Sequence, residues 1–285
     1  MSGPFRPVRK TAGRVKRASL RAAKAAAARV RLVVEPVDSE RALRRRLLAE
    51  GARLSPARPD RRWEPWMGRP LRTSSEVDAA CDALAAMGLP PHGERTKNWD
   101  LLVALGVILD AVPVTGAVLE MGAPLYSRLL PWLYLYGYRQ LHGIDLVFDA
   151  PLMRGPIRYQ QMDLTQTTFA DGSFDAIACL SVVEHGVDLD AYLREAARLL
   201  RPGGVLVTST DYWCEPVDTG GQEAYGVPIR IFGPNDITAF ADRAAAHGLR
   251  LRGDLDLACD ERVVEWKRFG LHYTFVNVVL EKQPA

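Results

Sequence analysis

The sequence predicts an α/β fold in which a mostly parallel sheet lies between two layers of helices. Short apolar stretches alternate with helical stretches from residue 117 to residue 280, a pattern typical of parallel sheets. Residues 174–180 are an almost unbroken apolar run that is too short for a helix, as expected for a strand buried on both faces. A helix and a further apolar strand follow this run, which indicates a right-handed parallel crossover.

Strands and helices are expected at definite positions along the chain. The strands are expected at residues 117–122, 141–146, 157–162 and 174–180, from residue 205 onward, and at 249–257 and 273–280. The helices are expected from Ser74 or Ser75 to about Met87, from Asn98 or Asp100 to Leu109, over 125–138, from a cap at Asp188 to about residue 201, and over 234–246. Together they predict a seven-stranded sheet.

The chain divides into three segments by composition. Residues 1–72 form a basic arm rich in Arg, Ala and Pro, which we expect to be partly disordered. Residues 73–115 form a helical lead-in or lid, and residues 116–285 form the main domain with an insertion at 211–232. Residues 1–50 carry 14 Lys and Arg against 4 Asp and Glu, whereas the rest of the chain carries 23 against 30. The arm reflects either compositional bias or a handle for an anionic partner such as lipid, nucleic acid or a glycan.

The four cysteines lie far apart, without the paired spacing of a metal knuckle or of a disulfide framework. We therefore expect reduced thiols inside the cell. Arginines interrupt the apolar core that a signal peptide needs, and the most apolar run, residues 101–114, contains Asp110 and is too short to span a membrane. These observations predict a cytoplasmic protein without a transmembrane segment, and they leave its oligomeric state open.

Residues 171–210 contain the motifs of a known family. An Asp-Gly-Ser-Phe-Asp sequence leads into the strand at 174–180, Glu184 and His185 follow the strand, and Leu-Arg-Pro-Gly-Gly ends the next helix. With these motifs the chain resembles the class I S-adenosylmethionine (SAM) methyltransferases over about residues 97–282. Within that family it is most similar to the small-molecule enzymes of ubiquinone and menaquinone biosynthesis. The resemblance implies a Rossmann-like three-layer sandwich, methyltransferase activity and SAM as the cofactor.

Five residues at the predicted strand ends form a candidate cofactor site, because ligands of open α/β sheets bind beyond the carboxyl ends of the strands. Gly122 lets the backbone approach a ligand without a Cβ atom. Asp145 lies 23 residues further on, close to the spacing at which an acid binds ribose hydroxyls. The resemblance implies that Glu120 holds the methionine end of SAM and that Met162 and Asp163 contact the adenine. Each acid, taken alone, is also explained by a helix cap, a turn or contact with solvent.

The loop after the first strand departs from the family pattern. Residues 120–127 keep only Gly122 of the three glycines that the family usually has. Pro124 and Leu125 obstruct the approach of a pyrophosphate, so the loop argues against an NAD-dependent dehydrogenase. SAM has no pyrophosphate, and family members with fewer glycines still bind it. The loss nevertheless keeps open a catalytically degenerate relative that acts as a binding or scaffold protein.

His185 is the candidate catalytic base. The loop after the fourth strand faces the transferred methyl group in the family, and imidazole accepts a proton near neutral pH. The alternatives are a structural role and a divalent ion held by Glu184 and His185, as in some quinone methyltransferases. The other histidines show no metal-ligand spacing, so we expect no metal.

The insertion at 211–232 follows the fifth strand, where the family binds its acceptor. Asp211, Tyr212 and Trp213 offer aromatic faces and hydrogen-bonding groups, which suit a polar, ring-bearing small molecule. We expect methylation of a hydroxyl on a sugar, a glycan or a small natural product; packing of the insertion explains Trp213 equally well. A nucleic-acid methyltransferase that uses the basic arm is the remaining alternative, and the acidic main domain argues against it.

Overall fold

A computed structural model describes residues 37–284, and one large sheet organises them. The strands are β1 (Val37–Asp38), β2 (Ala117–Met121), β3 (Gln140–Asp145), β4 (Leu152–Arg154), β5 (Ile157–Gln161), β6 (Phe174–Leu180), β7 (Leu200–Tyr212), β8 (Glu223–Ala224), β9 (Val227–Pro228), β10 (Leu249–Leu251), β11 (Val264–Trp266) and β12 (Leu271–Lys282). The sheet order is β1-β4-β5-β3-β2-β6-β7-β12-β10, with β11 paired to β12. Strands β8 and β9 pair separately.

The centre of the sheet is parallel, from β5 through β3, β2 and β6 to β7. Strands β12 and β10 run antiparallel beyond β7. The predicted Rossmann-like α/β fold with a mostly parallel sheet is therefore confirmed. All seven predicted strands are present, but β1, β4 and β11 add edges that are too short to show in the sequence pattern. Strand β10 ends at Leu251 rather than at residue 257.

The helices lie on both faces of the sheet. They are α1 (Glu40–Ala49), a 3₁₀ turn (Glu64–Trp66), α2 (Ser74–Met87), α3 (Lys97–Ala111), α4 (Leu129–Leu135), α5 (Leu189–Leu199) and α6 (Pro234–Ala246). Thr73 rather than a serine caps α2, whereas Asp188 caps α5 as predicted by accepting from two backbone amides. Helix α4 is shorter than predicted and begins just before Pro131, which fits the first turn of a helix.

The two faces of the sheet have separate apolar cores. Trp66, Trp99 and Trp132 belong to the core under α2, α3 and α4, and Leu193 and Phe240 to the core under α5 and α6. Helix α3 is buried on all sides from Asn98 to Leu109, as expected for a helix that is apolar all round. This central helix places its first turn near the ends of β6 and β7.

Residues 37–72 pack against the domain, which differs from the partly disordered arm predicted for residues 1–72. Trp66 is buried, and its ring centroid lies 6.2 Å from that of Trp99. The Asn277 side chain of β12 donates to the Trp66 carbonyl at 2.7 Å. The sequence pattern did not reveal this packing because the contacts reach more than 200 residues along the chain instead of repeating locally.

Residues 1–36, which carry most of the predicted basic arm, lie outside the described residues. Within residues 37–284, every helix is too short or too polar to cross a bilayer.

Candidate active site

The polar residues predicted for the cofactor and the acceptor gather at the carboxyl edge, which we define as the C-terminal ends of β2, β3, β5, β6 and β7. The chain crosses from β2 to β3 and β5 on one side and returns to β6 and β7 on the other. Strand order therefore reverses next to β2, and open α/β sheets bind their ligands at such a point.

Glu120 lies near the end of β2 and is only 4% exposed. The Ser127 hydroxyl donates to its Oε1 atom, while Oε2 has no hydrogen-bond partner among the described residues. Burial raises the pKa of Glu120 to about 7, and the neighbouring charge of Asp145 adds to the rise. An unpartnered buried carboxylate oxygen is costly, so this atom is suited to a cationic ligand group.

Gly122 adopts a left-handed conformation with φ 71° directly after β2. A Cβ atom at this position would lie 2.3 Å from Cγ2 of Val182, in the turn after β6. Glycine is therefore required twice, for the backbone angle and for the contact between the two loops. Its amide donates to the Ile144 carbonyl at 2.8 Å, which draws the loop over β3.

Asp145 ends β3, and its Oδ1 atom accepts from the Val147 amide at 3.1 Å. Burial raises its pKa, and the amides of Val147 and Leu146 oppose the rise. The carboxylate is thus held by its own turn at the end of β3, and the ribose contact stays a prediction.

Met162 and Asp163 follow β5. Met162 is half-buried beside the core of α5 and α6, and its sulfur lies 3.9 Å from the Thr168 hydroxyl. The Asp163 carboxylate is exposed and accepts from the amide and the hydroxyl of Thr165. These bonds match the turn-capping explanation of Asp163, and the adenine contact stays a prediction for both residues.

The turn after β6 carries Glu184 and His185. Glu184 is buried and accepts from the Thr210 hydroxyl of β7 at 3.1 Å. Burial raises its pKa, and the neighbouring His185 and Lys97 oppose the rise. The His185 ring is half-buried and packs edge-on against Tyr225, with 4.8 Å between the ring centroids. The imidazole is therefore more exposed to solvent than the carboxylate next to it.

The three predicted acceptor residues separate in the structure. Asp211 is buried, and burial followed by the Glu184 charge raises its pKa well above the usual range. Tyr212 points into the opposite core, where its hydroxyl donates to the Leu257 carbonyl at 2.7 Å. This arrangement corrects the acceptor role predicted for Tyr212, because successive side chains of a strand point to opposite faces.

Trp213 is nearly buried, and its ring lies under the Arg262 guanidinium at 4.5 Å. Its Nε1 atom has no hydrogen-bond partner within the part of the chain that the structure describes. The packing alternative accounts for the ring, and an acceptor contact through Nε1 stays a prediction.

Comparison with known proteins bears on the central part of the chain. Residues 119–208 match the family model described as a methyltransferase domain. This segment is a methyltransferase domain. It runs from β2 into β7 and contains Glu120, Gly122, Asp145 and His185, so the family predicted from the sequence is confirmed.

Curated relatives match shorter stretches. The ubiquinone biosynthesis O-methyltransferase of Xanthomonas oryzae pv. oryzae is 54% identical over 39 residues, which are 14% of this chain and 16% of that protein. The arsenite methyltransferase of Aquipseudomonas alcaligenes is 50% identical over 50 residues, which are 18% of this chain and 14% of that protein. The chain thus spans less than a fifth of the length of either relative.

Two solved structures align over a larger part of the chain. An S-adenosylmethionine-dependent methyltransferase from Mesorhizobium loti covers 62% of this chain and 96% of its own, at 15% identity and a TM-score of 0.44. The 1,6-didemethyltoxoflavin-N1-methyltransferase of Burkholderia thailandensis, solved with S-adenosylhomocysteine, covers 75% and 92%, at 17% identity and a TM-score of 0.45. At this level of similarity neither assigns an acceptor or a residue role.

Several polar residues beside the methyltransferase domain were missed in the sequence. Lys97 of α3 and Tyr273 of β12 influence the buried carboxyl groups at the carboxyl edge, and Asp100 of α3 accepts from the Ser209 hydroxyl of β7. The sequence did contain an indication for Lys97. A lysine in the first turn of a helix interacts unfavourably with the helix dipole, so its presence there indicates a specific interaction with another group. Tyr225 left no such indication, since its φ of 56°, unfavourable for a residue with a side chain, is a feature of the folded structure alone.

Among residues 37–284, no group of three His, Cys, Asp or Glu side chains is arranged to hold a metal ion. The metal alternative for Glu184 and His185 therefore gains no further ligand from the described residues.

Proposed function

We propose that this chain is a SAM-dependent methyltransferase that methylates a small polar acceptor, a hydroxyl of a sugar, a glycan or a natural product. The observation that carries the proposal is the buried Oε2 atom of Glu120, which has no partner among the described residues. This atom lies in the methyltransferase domain, where the order of the strands reverses next to β2. The amino group of SAM supplies the cation that this atom lacks.

The residues at the carboxyl edge fit SAM. Glu120 would hold its amino group, Asp145 its ribose hydroxyls, and Met162 would pack against its adenine. Gly122 keeps the backbone of the loop free of a side chain where the ligand passes. When bound, SAM supplies a methyl group on a positively charged sulfur, so that positioning alone accounts for much of the rate.

A hydroxyl acceptor must lose a proton as it is methylated. The imidazole of His185 would accept this proton. Burial raises the pKa of Glu184 and the His185 charge opposes the rise; the ionised carboxylate would stabilise the imidazolium that forms. Asp211 and the exposed ring of Tyr225 supply a hydrogen-bonding group and a flat apolar face, which together suit a sugar-like or other ring-bearing molecule.

Calorimetry with SAM and with S-adenosylhomocysteine (SAH) tests the cofactor. We expect one site per chain, and a Glu120→Gln variant should bind more weakly, because an amide gives the amino group no charge to pair with. Absence of both heat and a thermal shift with the wild-type protein would instead favour the scaffold alternative.

A panel of sugars, glycans, natural products and phenols, with SAH release as the readout, tests the acceptor class. Methylation of phenols alone would contradict the proposal that the acceptor is a sugar. With any active acceptor, His185→Ala should lower turnover by roughly 10²–10⁴-fold and leave SAM affinity nearly unchanged. If His185→Ala loses stability but its folded fraction has normal turnover, the role of His185 is structural.

A further inference from the structure

A buried ion pair lies outside the segment that matches the methyltransferase family. Lys97 and Asp100 both belong to the first turn of α3, and Lys97 Nζ donates to Asp100 Oδ2 at 2.5 Å. The Lys97 side chain is 13% exposed and that of Asp100 is fully buried. Burying such a pair costs desolvation energy, so its presence calls for a role beyond packing.

Hydrogen bonds connect this pair to the two strands that carry the acceptor side. Lys97 Nζ donates to the Ser181 hydroxyl, at the end of β6, at 2.8 Å. The Ser209 hydroxyl of β7 donates to Asp100 Oδ2 at 2.6 Å. Asp100 Oδ1 has no partner in residues 37–284, and the Lys97 ammonium also lies 4.9 Å from the centroid of the Phe275 ring in β12. Three elements thus fix the position of one ammonium group.

Ser181 supports the same conclusion. It has a φ of 53°, which is unfavourable for a residue with a Cβ atom, and its amide donates to the Ser209 carbonyl at 3.0 Å. The bond from Lys97 holds its hydroxyl. Ser181 opens the turn that carries Glu184 and His185, so the ammonium lies at the base of that turn.

The charge of Lys97 acts on the buried acids around it. Burial raises the pKa of Glu120, of Glu184 and of Asp211, and the Lys97 charge opposes each rise. The groups that face Glu184 are His185 in its own turn, Lys97 of α3, Cys179 of β6, Thr210 and Asp211 of β7, Tyr225 of the insertion and Tyr273 of β12. Of these described groups, only Lys97 and a protonated His185 bring positive charge, and the Asp100 carboxylate, 2.5 Å from Lys97 Nζ, offsets part of the Lys97 charge.

We propose that Lys97, held by Asp100 and Ser181, is a positioning residue that favours the ionised form of the Glu184–Asp211 pair beneath the acceptor. This inference rests on the proposed function. It assigns to Lys97 an effect that passes through Glu184 to His185: a charged carboxylate stabilises the imidazolium that forms when His185 accepts the proton of the acceptor. The acceptor side of the site would then depend on a helix that precedes the methyltransferase domain.

SAM and SAH together report this charge without an acceptor. They differ by the methyl group and by the positive charge on the sulfur, while the amino group that meets Glu120 is common to both. The ratio of their affinities therefore cancels the titration of Glu120 and follows the charge near the sulfur. If the Glu184–Asp211 pair carries that charge, the ratio rises in favour of SAM as the pair ionises.

The experiment measures both affinities by calorimetry from pH 5.5 to pH 8.5 for the wild type, Lys97→Met and Lys97→Arg. Lys267→Met is the matched control, because its side chain is 84% exposed. We expect the pH midpoint of the ratio to rise by about one unit in Lys97→Met, since loss of a neighbouring cation makes the pair harder to ionise. The midpoint should be unchanged in Lys97→Arg and Lys267→Met. In Glu184→Gln the affinity ratio should no longer change with pH.

A double variant separates this role from folding. Lys97→Met leaves Asp100 buried without its partner and should lower the melting temperature. Lys97→Met with Asp100→Leu should recover most of that loss and keep a smaller upward shift of the midpoint, because the double variant also removes the Asp100 anion. An unshifted midpoint in both variants would make the pair purely structural. Equal weakening of SAM and SAH with an unshifted midpoint would make Lys97 a ligand of their shared part. Wild-type protein that binds neither compound would overturn the proposed function itself.

Discussion

The two halves of the carboxyl edge are built in different ways. The cofactor half consists of Glu120, Gly122 and Asp145, which lie within 26 residues on two adjacent parallel strands. The acceptor half consists of Glu184, Asp211 and their neighbours from α3, the insertion and β12, which span residues 97–273. The first half lies inside the methyltransferase domain at 119–208, and the second extends on both sides of it.

The difference shows how a shared cofactor site and an individual acceptor site coexist in one sheet. A local strand–helix–strand unit brings together the acids proposed to bind the cofactor, and open α/β sheets bind their ligands at such a position. The acceptor half is assembled by tertiary packing, so elements outside the domain are able to set its charge and shape. The two halves meet where Gly122 contacts Val182.

Gly122→Val is the strongest way to break this arrangement. Its Cβ would collide with Val182, and a β-branched residue is strained at φ 71°, so we expect SAM affinity to fall by more than roughly 100-fold. Gly137→Val is the control, because Gly137 has a φ of 101° but no atom within 4 Å of an added Cβ. Calorimetry measures binding and urea unfolding measures stability. If Gly122→Val and Gly137→Val lose SAM affinity equally, the contact between Gly122 and Val182 is not what SAM binding requires.

Asp145→Ala tests the cofactor half alone. Loss of charge-assisted hydrogen bonds to the ribose should weaken SAM and SAH equally, by roughly 10- to 100-fold, at unchanged affinity ratio. Asp145→Asn keeps the Oδ1 atom that accepts from Val147 and should lose less. Variants that bind like the wild type would show that the ribose does not lie at the end of β3.

The ionisation of Glu120 should make both the stability of the protein and the affinity of the cofactor half depend on pH. The pKa of Glu120 in the folded protein is about 7, above the ordinary 4.5. Between pH 4.5 and pH 7 the folded protein therefore keeps a proton on Glu120 that the unfolded chain has lost. The contribution of this group to the free energy of unfolding therefore falls as pH rises from 4.5 to 7, by about 3 kcal/mol in total. An ionised Glu120 binds the amino group, so SAM and SAH affinities should rise together, about tenfold per pH unit, as pH approaches 7.

Glu120→Gln is the check on this pH dependence, because it keeps an acceptor for Ser127 but does not titrate. Urea unfolding at pH 5 and pH 8 should show a smaller difference in the variant than in the wild type. The shared rise in SAM and SAH affinity should also disappear. Persistence of both effects in Glu120→Gln would assign them to another acid.

Asp163→Asn should give the smallest effect. The carboxylate is exposed and caps its own turn through Thr165, and an amide oxygen can replace that acceptor. We expect SAM affinity to change by less than about threefold and stability by less than about 0.5 kcal/mol. A loss comparable to that of Asp145→Ala would instead support the adenine contact predicted from the family resemblance.

The sequence alone determined the parallel sheet and its seven main strands, and it predicted the acids of the cofactor half. Each depends on a local pattern: an apolar run, a cap such as Asp188, or an acid directly after a strand. Such patterns are visible because neighbouring residues in the chain are also neighbours in the element they form. The family resemblance added the cofactor to this picture.

Only the tertiary structure decided the rest. The burial of Trp66, the inward direction of Tyr212 and the bonds of Lys97 to Asp100 and Ser181 depend on which distant elements pack together. Periodicity carries no information on such contacts: a lysine at the start of a helix is usually solvated, and a tyrosine after a strand points to either face. The charge of the acceptor half follows from where α3 and β12 lie in the folded chain.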